Sequence, residues 1–416
     1  MAVPNNILQQ VITYQLSELA FLQNLCCFVA TANTKFLNFN DEIANLGNTV
    51  SFDLPPKSRA QDGLVVTFQG AEQRVQNLVC DQSANVGYAV TNEQLIFNLE
   101  ANDYMEKFGK SAIINLGSTI EANVALNAIT NTYRFYGTPS APINTFGGLA
   151  QMLADYRDYG STYDNLKVYL PSVDVPPIVN SGLNQFVMDR NEEIAMSWFI
   201  GNWMGVEFYQ SNLLPTHVAG NVGNLAQTLT LTAVNDNTGV NVTQLTFSGA
   251  SASDANAFKA NDLIQFADGV SGESNVRFLT FNGQQTSSQP LQLRVTANAA
   301  SDVSGNVTVT ISPAVVWAQT INQNINVALS PGMQITALPS HRAGLVVGGN
   351  ALFLAMPRLP DQMPFPTGNA VDEETGVSIR NYYGSLFGQN QMGYVHDALW
   401  GSTLVPEYAM RLIFPV

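Results

Sequence analysis

Charge is what this chain has least of. Only 12% of its 416 residues are Asp, Glu, Lys or Arg, about half the share of an ordinary globular protein. What charge there is leans acidic, with 17 Lys and Arg against 32 Asp and Glu and a formal net charge of -15. A protein that grips a phosphate backbone needs clustered basic side chains to displace counterions, so this balance argues against nucleic-acid gripping as the main task. Histidine is scarce as well. His217, His341 and His396 stand far apart in sequence, and none has a His or Cys neighbour at metal-ligand spacing. The three cysteines, Cys26, Cys27 and Cys80, are odd in number with two adjacent. They form no disulfide framework and read as small buried hydrophobes in a reducing cytoplasm.

Long apolar runs are missing too. Leu19 to Ala32 imitates the core of a signal peptide, but no basic residue precedes it and Glu18, Gln23 and Asn24 interrupt it. Neither a signal peptide nor a membrane span is expected. There are no internal repeats or heptads. Motifs that carry chemistry are also absent: there is no Gly-x-Ser-x-Gly elbow, and Gly344 to Gly349 lacks the Lys-Ser/Thr of a phosphate loop. Glu192-Glu193 and Asp372-Glu373-Glu374 sit in polar stretches and read as solvated surface. The expectation is a chain that is not an enzyme and holds neither cofactor nor metal.

What is present is ample core material, 46% hydrophobic residues, enough for two or three structural units. Low charge combined with plentiful Asn, Gln, Ser and Thr suits a surface covered by neighbouring subunits. Secreted β-rich proteins share that habit, and composition alone leaves both readings open.

The order of parts narrows the choice. Residues 1–32 form an arm with Ile7, Leu8, Val11, Ile12, Leu16, Leu19 and Leu22 at helical spacing. Residues 33–90 switch to period two at Thr49 to Leu54, Leu64 to Phe68 and Val75 to Val79, with Pro55-Pro56 and Gln69-Gly70 between, which predicts an extended β-hairpin. A hairpin alone is marginal in water, so it needs a surface to rest on. Residues 91–139 hold the longest helical signal. It starts at Asp103 with Glu106 three residues on and runs through Ala112, Leu116, Ile120, Val124 and Ile129 to about Tyr133. Such a helix would span roughly 45 Å, and Gly109 and Gly117 inside it imply dependence on packing.

Residues 140–223 are mixed α/β, with a helix at Phe146 to Tyr159 and a strand at Lys167 to Leu170. From 224 to 335 the helical period disappears. Six short strands follow, at Leu229, Gln244, Leu263, Val276, Leu291 and Val307, with turn residues such as Asn235 to Gly239 between them, the pattern of a small barrel or sandwich. Mixed signals return over 336–416, with strands at Gly376 to Tyr383, Gly393 to Trp400 and Tyr408 to Phe414.

Short pieces of sequence add a family resemblance. Gly205-Val206-Glu207-Phe208 with Ser211 and Leu214-Pro215, the run Glu121-Ala-Asn-Val-Ala-Leu-Asn-Ala128, and Ala398-Leu399-Trp400-Gly401 with Pro406-Glu407 and Ala409 resemble segments of tailed-bacteriophage major capsid proteins of the Hong Kong 97 fold. They are most similar to the coats of short-tailed Salmonella phages that carry an inserted β-domain. A tyrosine of the closing run is absent here and its spacing differs.

The resemblance implies an α+β capsid fold. In it, the long helix would be the spine of the peripheral domain, 33–90 an extended loop over a neighbouring subunit, 140–223 the axial domain and 224–335 the insertion. It also implies a major capsid protein that self-assembles through hexamers and pentamers into an icosahedral head shell. The shell would form in the host cytoplasm and enclose double-stranded DNA without sequence-specific binding, with a scaffolding protein, a portal and a decoration or cement protein as partners and no membrane. Inter-subunit contacts are then expected at Phe52, Leu54, Lys57, Arg59, Val66, Phe68 and Arg74 of the loop and at Leu8, Ile12 and Leu16 of the arm. Lys57 and Lys107 could serve a covalent cross-link, but the resembled branch does not use one. The rival readings are a secreted β-rich adhesin or carbohydrate-binding protein and another phage structural protein such as a tail component.

Overall fold

A computed structural model of the chain describes residues 26–34, 48–57, 59, 64, 68, 73–91, 109–160, 164–181, 199–267, 275–281, 283–349, 351–362, 365, 367–371, 378–385 and 388–416. The fold is mixed α+β and strand-rich. Its centre is a seven-stranded mixed sheet. The order is β4 (Phe135–Tyr136), β22 (Ala409–Phe414), β17 (His341–Val347), β5 (Lys167–Pro171), β7 (Val206–Ser211) and β6 (Phe199–Trp203), with β8 (Thr216–His217) paired to the start of β17. β22 lies parallel to β4 and β5 parallel to β7, and the other pairs are antiparallel.

The central strands are apolar on both faces because both faces are covered. Val168, Leu170, Val346, Met410, Leu412 and Phe414 pack on one side with Leu149, Met152, Leu153 and Tyr156 of α3 (Phe146–Asp158). Tyr169, Ala343, Leu345, Val347 and Ala409 pack on the other with Leu116, Ile120 and Val124 of α2 (Lys110–Thr130). α3 starts where the Thr145 hydroxyl accepts from Gly148 N at 3.1 Å, an N-cap that satisfies one of the free first-turn amides.

Within the described residues α2 runs for 21 residues, about 32 Å at 1.5 Å per residue. The expected start, 103–108, lies outside the described residues. The end comes at Thr130 rather than near Tyr133, because Tyr133, Arg134 and Phe135 are themselves buried and Phe135–Tyr136 joins the central sheet. α1 (Cys27–Thr31) crosses α2 at its middle: Cys26 Sγ donates to Gly117 O, and Glu121 accepts from the first amides of α1.

On the far side of α2 lies a second sheet of β18 (Leu352–Ala355), β21 (Gln391–Leu404), β20 (Ser378–Ser385) and β19 (Thr367–Val371), with β3 (Gln82–Thr91) also pairing β21 over ten residues. β3 is a difference from the sequence reading, which grouped residues up to 90 with the hairpin. Its alternation, Ser83-Ala-Asn-Val-Gly-Tyr-Ala, is too small and polar to announce a strand by itself. The hairpin is formed by β1 (Thr49–Leu54) and β2 (Arg74–Val79), in register from Thr49↔Val79 to Leu54↔Arg74. Of the expected middle strand, only Leu64 and Phe68 are among the described residues.

The remaining body is a closed six-stranded barrel in the order β10 (Val242–Ser248), β15 (Val307–Val315), β14 (Gln292–Val295), β11 (Leu263–Phe266), β16 (Gln334–Ala337) and β9 (Thr228–Val234). Leu229, Leu231, Leu245, Phe247, Ile264, Leu293, Val309 and Ile335 are almost wholly buried and fill it, with threonines alternating outward. One strand expected among the six is elsewhere. Residues 277–279 pair with β13 (Thr286–Pro290) as a separate ribbon, β12. The sixth barrel strand is β16, whose Gln-Ile-Thr-Ala carries a single core side chain, Ile335, and so gave little sequence signal. The chain leaves the central sheet after β8 and returns at β17, and these two strands pair with each other, His217 opposite His341.

Candidate functional site at the base of the hairpin

The residues expected at subunit contacts converge in part on one place. The hairpin is short and polar on one face, and its inner residues find partners on the rest of the chain. Phe52 lies 4.4 Å from Phe353, ring to ring, and Val50 and Leu78 join Ala355 and Cys80 in a small cluster. Leu54 packs on the main core. Gln76 Nε2 donates to Thr403 Oγ1 at 2.7 Å.

At the base, two cations meet one carboxylate. Lys57 Nζ lies 3.0 Å from Glu407 Oε1 and Arg74 Nη2 lies 2.5 Å from Glu407 Oε2. Both cations also sit over the ring of Phe281, at 5.2 and 5.9 Å from its centroid, and Phe281 meets Tyr408 edge-on at 5.6 Å. Glu407 is presented by a short 3-10 turn, Pro406–Tyr408, just before β22. Phe281 is fixed by its own amide, which donates to Tyr159 O at 2.7 Å. Arg59 Nη1 donates to Gln323 Oε1 at 3.0 Å. The hairpin base is therefore fastened to the central sheet and to the barrel ribbon at once. A cleft of about 510 Å³ opens beside it, lined by Leu54, Lys57, Arg74, Tyr133, Tyr159 and Phe278 among others. Single partly exposed ion pairs are weak, but a carboxylate shared by two cations over an aromatic ring holds direction as well as charge.

The distal hairpin residues are different. Leu64 and Phe68 are 102% and 94% exposed. Val66, Leu8, Ile12 and Leu16 lie outside the described residues. The root of the arm is firmly set: Glu121, 2% exposed, accepts from Phe28 N at 2.8 Å and Val29 N at 3.3 Å and from Cys27 Sγ at 2.9 Å. Burial pushes its carboxyl above the ordinary glutamate value, and these donors oppose the rise.

The barrel is tied to the sheet by buried polar pairs. Arg134 stacks on Tyr159 at 4.0 Å and donates to Gln289 Oε1 at 3.2 Å. Gln292 pairs with the backbone of Phe135 in both directions, at 2.8 and 3.0 Å. Asp158 accepts from Ser287 and Ser288. Burial pushes its carboxyl up, yet those hydrogen bonds outweigh it and hold the group below the ordinary aspartate value.

Sequence reasoning singled out Lys57 and Arg74 but missed their partner role for Glu407 and Phe281. The Pro-Glu pair carried a family resemblance and no hint of contact, and Phe281 followed a strand assigned to the wrong sheet. The three histidines are separated in sequence, but two are brought together: His217 and His341 rings lie 5.3 Å apart. Among the described residues no group of three or more His, Cys, Asp or Glu could hold a metal ion, and no helix is long and apolar enough to cross a membrane.

No protein-family description matches the chain, and no curated protein matches it. Among solved structures it is similar to a chain described as Mycobacterium phage Che8, at 10% identity over 93% of this chain and 90% of that one, with a TM-score of 0.44. It is also similar to the capsid of Ralstonia phage GP4 (7% identity, 89% and 85% covered, TM-score 0.43) and to a virus-like particle from Pyrococcus furiosus (6% identity, 97% and 98% covered, TM-score 0.41). Scores below 0.5 describe a loose overlap of chain paths.

Proposed function

We propose that this chain is the major capsid protein of a tailed bacteriophage, building an icosahedral head shell around double-stranded DNA by self-assembly through hexamers and pentamers. The observation that carries the reading is the layout of one chain. It combines a hairpin fastened at its base, with Leu64 and Phe68 exposed, a 21-residue helix between two sheets, and a barrel that leaves and rejoins the central sheet through adjoining strands. That order is the one the sequence resemblance to the Hong Kong 97 fold implies, with α2 as the spine and the barrel as the insertion. The resemblance to the coats of short-tailed Salmonella phages belongs to the same proposal. So do the domain limits at 32, 90, 139, 223 and 335, a scaffolding protein, portal and cement protein as partners, and assembly in the host cytoplasm.

Leu64 and Phe68, nearly fully exposed on a chain this poor in charge, support a loop that another copy covers. Lys57, Arg59 and Arg74 then act at the loop's base within their own chain, while Leu64 and Phe68 are left for the neighbouring copy. A shell that must release its DNA needs an acidic, weakly binding inner surface, and the net charge of -15 fits that need.

The test is electron microscopy with light scattering on the purified chain, alone and co-produced with the products of neighbouring genes. Shells, partial shells or rings are the expected result. A monomer that never assembles in either setting overturns the reading and favours a secreted β-rich binding protein.

A further inference from the structure

The neck between sheet and barrel holds the least ordinary polar cluster in the described structure. β8 and β17 form only a two-residue ladder there, Thr216↔Arg342 and His217↔His341. α4 (Asn221–Asn224) follows β8 after three residues and is seated without slack: a Cβ on Gly220 would lie 2.5 Å from Ala257 O, and one on Gly223 2.2 Å from Leu338 O. Asp262, 1% exposed, closes the cluster from the barrel side. Its Oδ1 lies 2.7 Å from His217 Nε2, and its Oδ2 accepts from Gly220 N at 3.1 Å and from Lys259 N at 2.8 Å.

His341 is the odd member. It is 0% exposed, and its Nδ1 lies 2.8 Å from Pro339 O. A carbonyl oxygen only accepts, so Nδ1 carries the hydrogen of the neutral ring and Nε2 holds the bare lone pair. That Nε2 is buried and has no hydrogen-bond partner.

We propose that this neck is an acid-released latch, in which a proton arriving at His341 Nε2 frees β8 from β17 and α4 from Ser340, whose N and Oγ donate to Asn224 Oδ1, and lets the barrel change its angle to the sheet. The charged groups around His341 make a second proton there costly. His217 faces it from β8, Arg411 from β22 repels a cation, and Asp262 is engaged by its own three donors. Arg294 of β14 adds positive charge beside Arg411, while Arg342 on the same strand is occupied by Asp174 at 2.7 Å. A proton on His217 would keep a carboxylate partner; a proton on His341 Nε2 would have none.

Burial, with Arg411 and His217 adding to it, pushes the His341 imidazole down to about 3. The sign follows from that direction. The folded neck favours the neutral ring, so its contribution is fully present above the ordinary imidazole value of about 6.5 and is drawn down as pH falls from there toward the lowered value. Acid also weakens the tie at the other end of the barrel, because Asp158 loses its hold on Ser287 and Ser288 when its carboxylate is protonated. The two losses act in the same direction.

The chain has three histidines, so a histidine-labelled sample of the unaltered protein lets the His341 ring be followed as the pH is lowered. His341 is expected to titrate close to 3. A midpoint near that of a free imidazole overturns the latch. The motion itself is read by pulsed dipolar spectroscopy between spin labels at Val173→Cys on the sheet side and Val303→Cys on the barrel, which are 70% and 83% exposed. One narrow distance is expected at neutral pH, and a broadened or displaced distribution once His341 begins to charge. His341→Gln cannot take the proton and is expected to keep the narrow distance into acid. Asp262→Asn is expected to broaden it at neutral pH. An unchanged distance in the parent protein through the His341 titration, or equal broadening in His341→Gln, overturns the proposal.

Discussion

The barrel and the hairpin are both antiparallel β structure, yet they solve the problem of loose edges in opposite ways. The barrel closes on itself, so every strand has two neighbours and its apolar side chains meet across one interior. The described part of the hairpin has two strands, and even its small cluster of Val50, Leu78 and Cys80 is completed by Ala355 of β18. It borrows the rest: Phe353 for its aromatic, Thr403 for its amide, Glu407 and Phe281 for its cations. The barrel's core is filled from within its own strands, while the described part of the hairpin depends on side chains from elsewhere in the chain.

The sharpest way to break that contrast is to empty the barrel. Phe247 is 0% exposed in its interior, and Phe247→Ala should cost about 3–5 kcal/mol. In denaturant melts this should appear as a barrel transition falling well below that of the central sheet. A single cooperative transition that shifts as a whole would show that the barrel is not the separate unit the comparison assumes. The next effect is at the seam between hairpin and sheet. A Cβ on Gly401 would lie 2.2 Å from Val79 O and 2.8 Å from Cys80 Cα, both backbone atoms. Gly401→Ala should therefore cost about 1–3 kcal/mol by forced displacement and raise amide exchange in β2 more than in the barrel. Equal exchange in both regions would count against a hairpin whose stability depends on this seam.

Glu407→Gln removes the charge shared by Lys57 and Arg74. The side chains are 15–24% exposed, so solvent screening limits the loss to about 1 kcal/mol. The loss should shrink in high salt, where the parent's pairs are already screened. A salt-independent effect of the same size would mean that Glu407 matters for packing rather than for charge.

How much of this was legible in the sequence depends on side-chain contrast. The barrel was read correctly as β because Leu229, Leu231, Phe247 and Val309 alternate with threonines and polar residues. Its membership was misread where contrast failed, at Gln334-Ile-Thr-Ala337. α3 and the hairpin strands fell close to their expected bounds, since Phe146 to Tyr156 and Thr49 to Leu54 carry clean periods. The end of α2 was overrun because Tyr133 to Tyr136 looks like a helical stop from sequence, whereas burial draws it into the sheet. The site was legible on one side only. Lys57 and Arg74 were named, but as contacts to a neighbouring subunit; Glu407 lies 333 positions from Arg74, and no local pattern records a contact at that range. The neck cluster was equally hidden, since His217 and His341 become neighbours only through β8 pairing with β17.

The smallest expected effect on stability is the most informative about function. Leu64 and Phe68 contribute almost no burial to the described chain, being 102% and 94% exposed, so Leu64→Ser and Phe68→Ser should leave unfolding of the dispersed chain within about 0.5 kcal/mol of the parent. If the far end of the hairpin is seated on another copy, as proposed, the same changes remove apolar area from a contact repeated throughout the shell. Each buried large side chain contributes about 1.5–3 kcal/mol, and light scattering should then show assembly shifted to higher protein concentration or lost. Glu407→Gln should act the other way round, with a measurable cost to the single chain and a weaker effect on association. Two variants on one hairpin, separated by which measurement each one moves, would locate the boundary between what the chain does for itself and what it leaves to its neighbours. Should Phe68→Ser and Leu64→Ser assemble as the parent does, the bare end is not a contact, and the hairpin's role ends at its base.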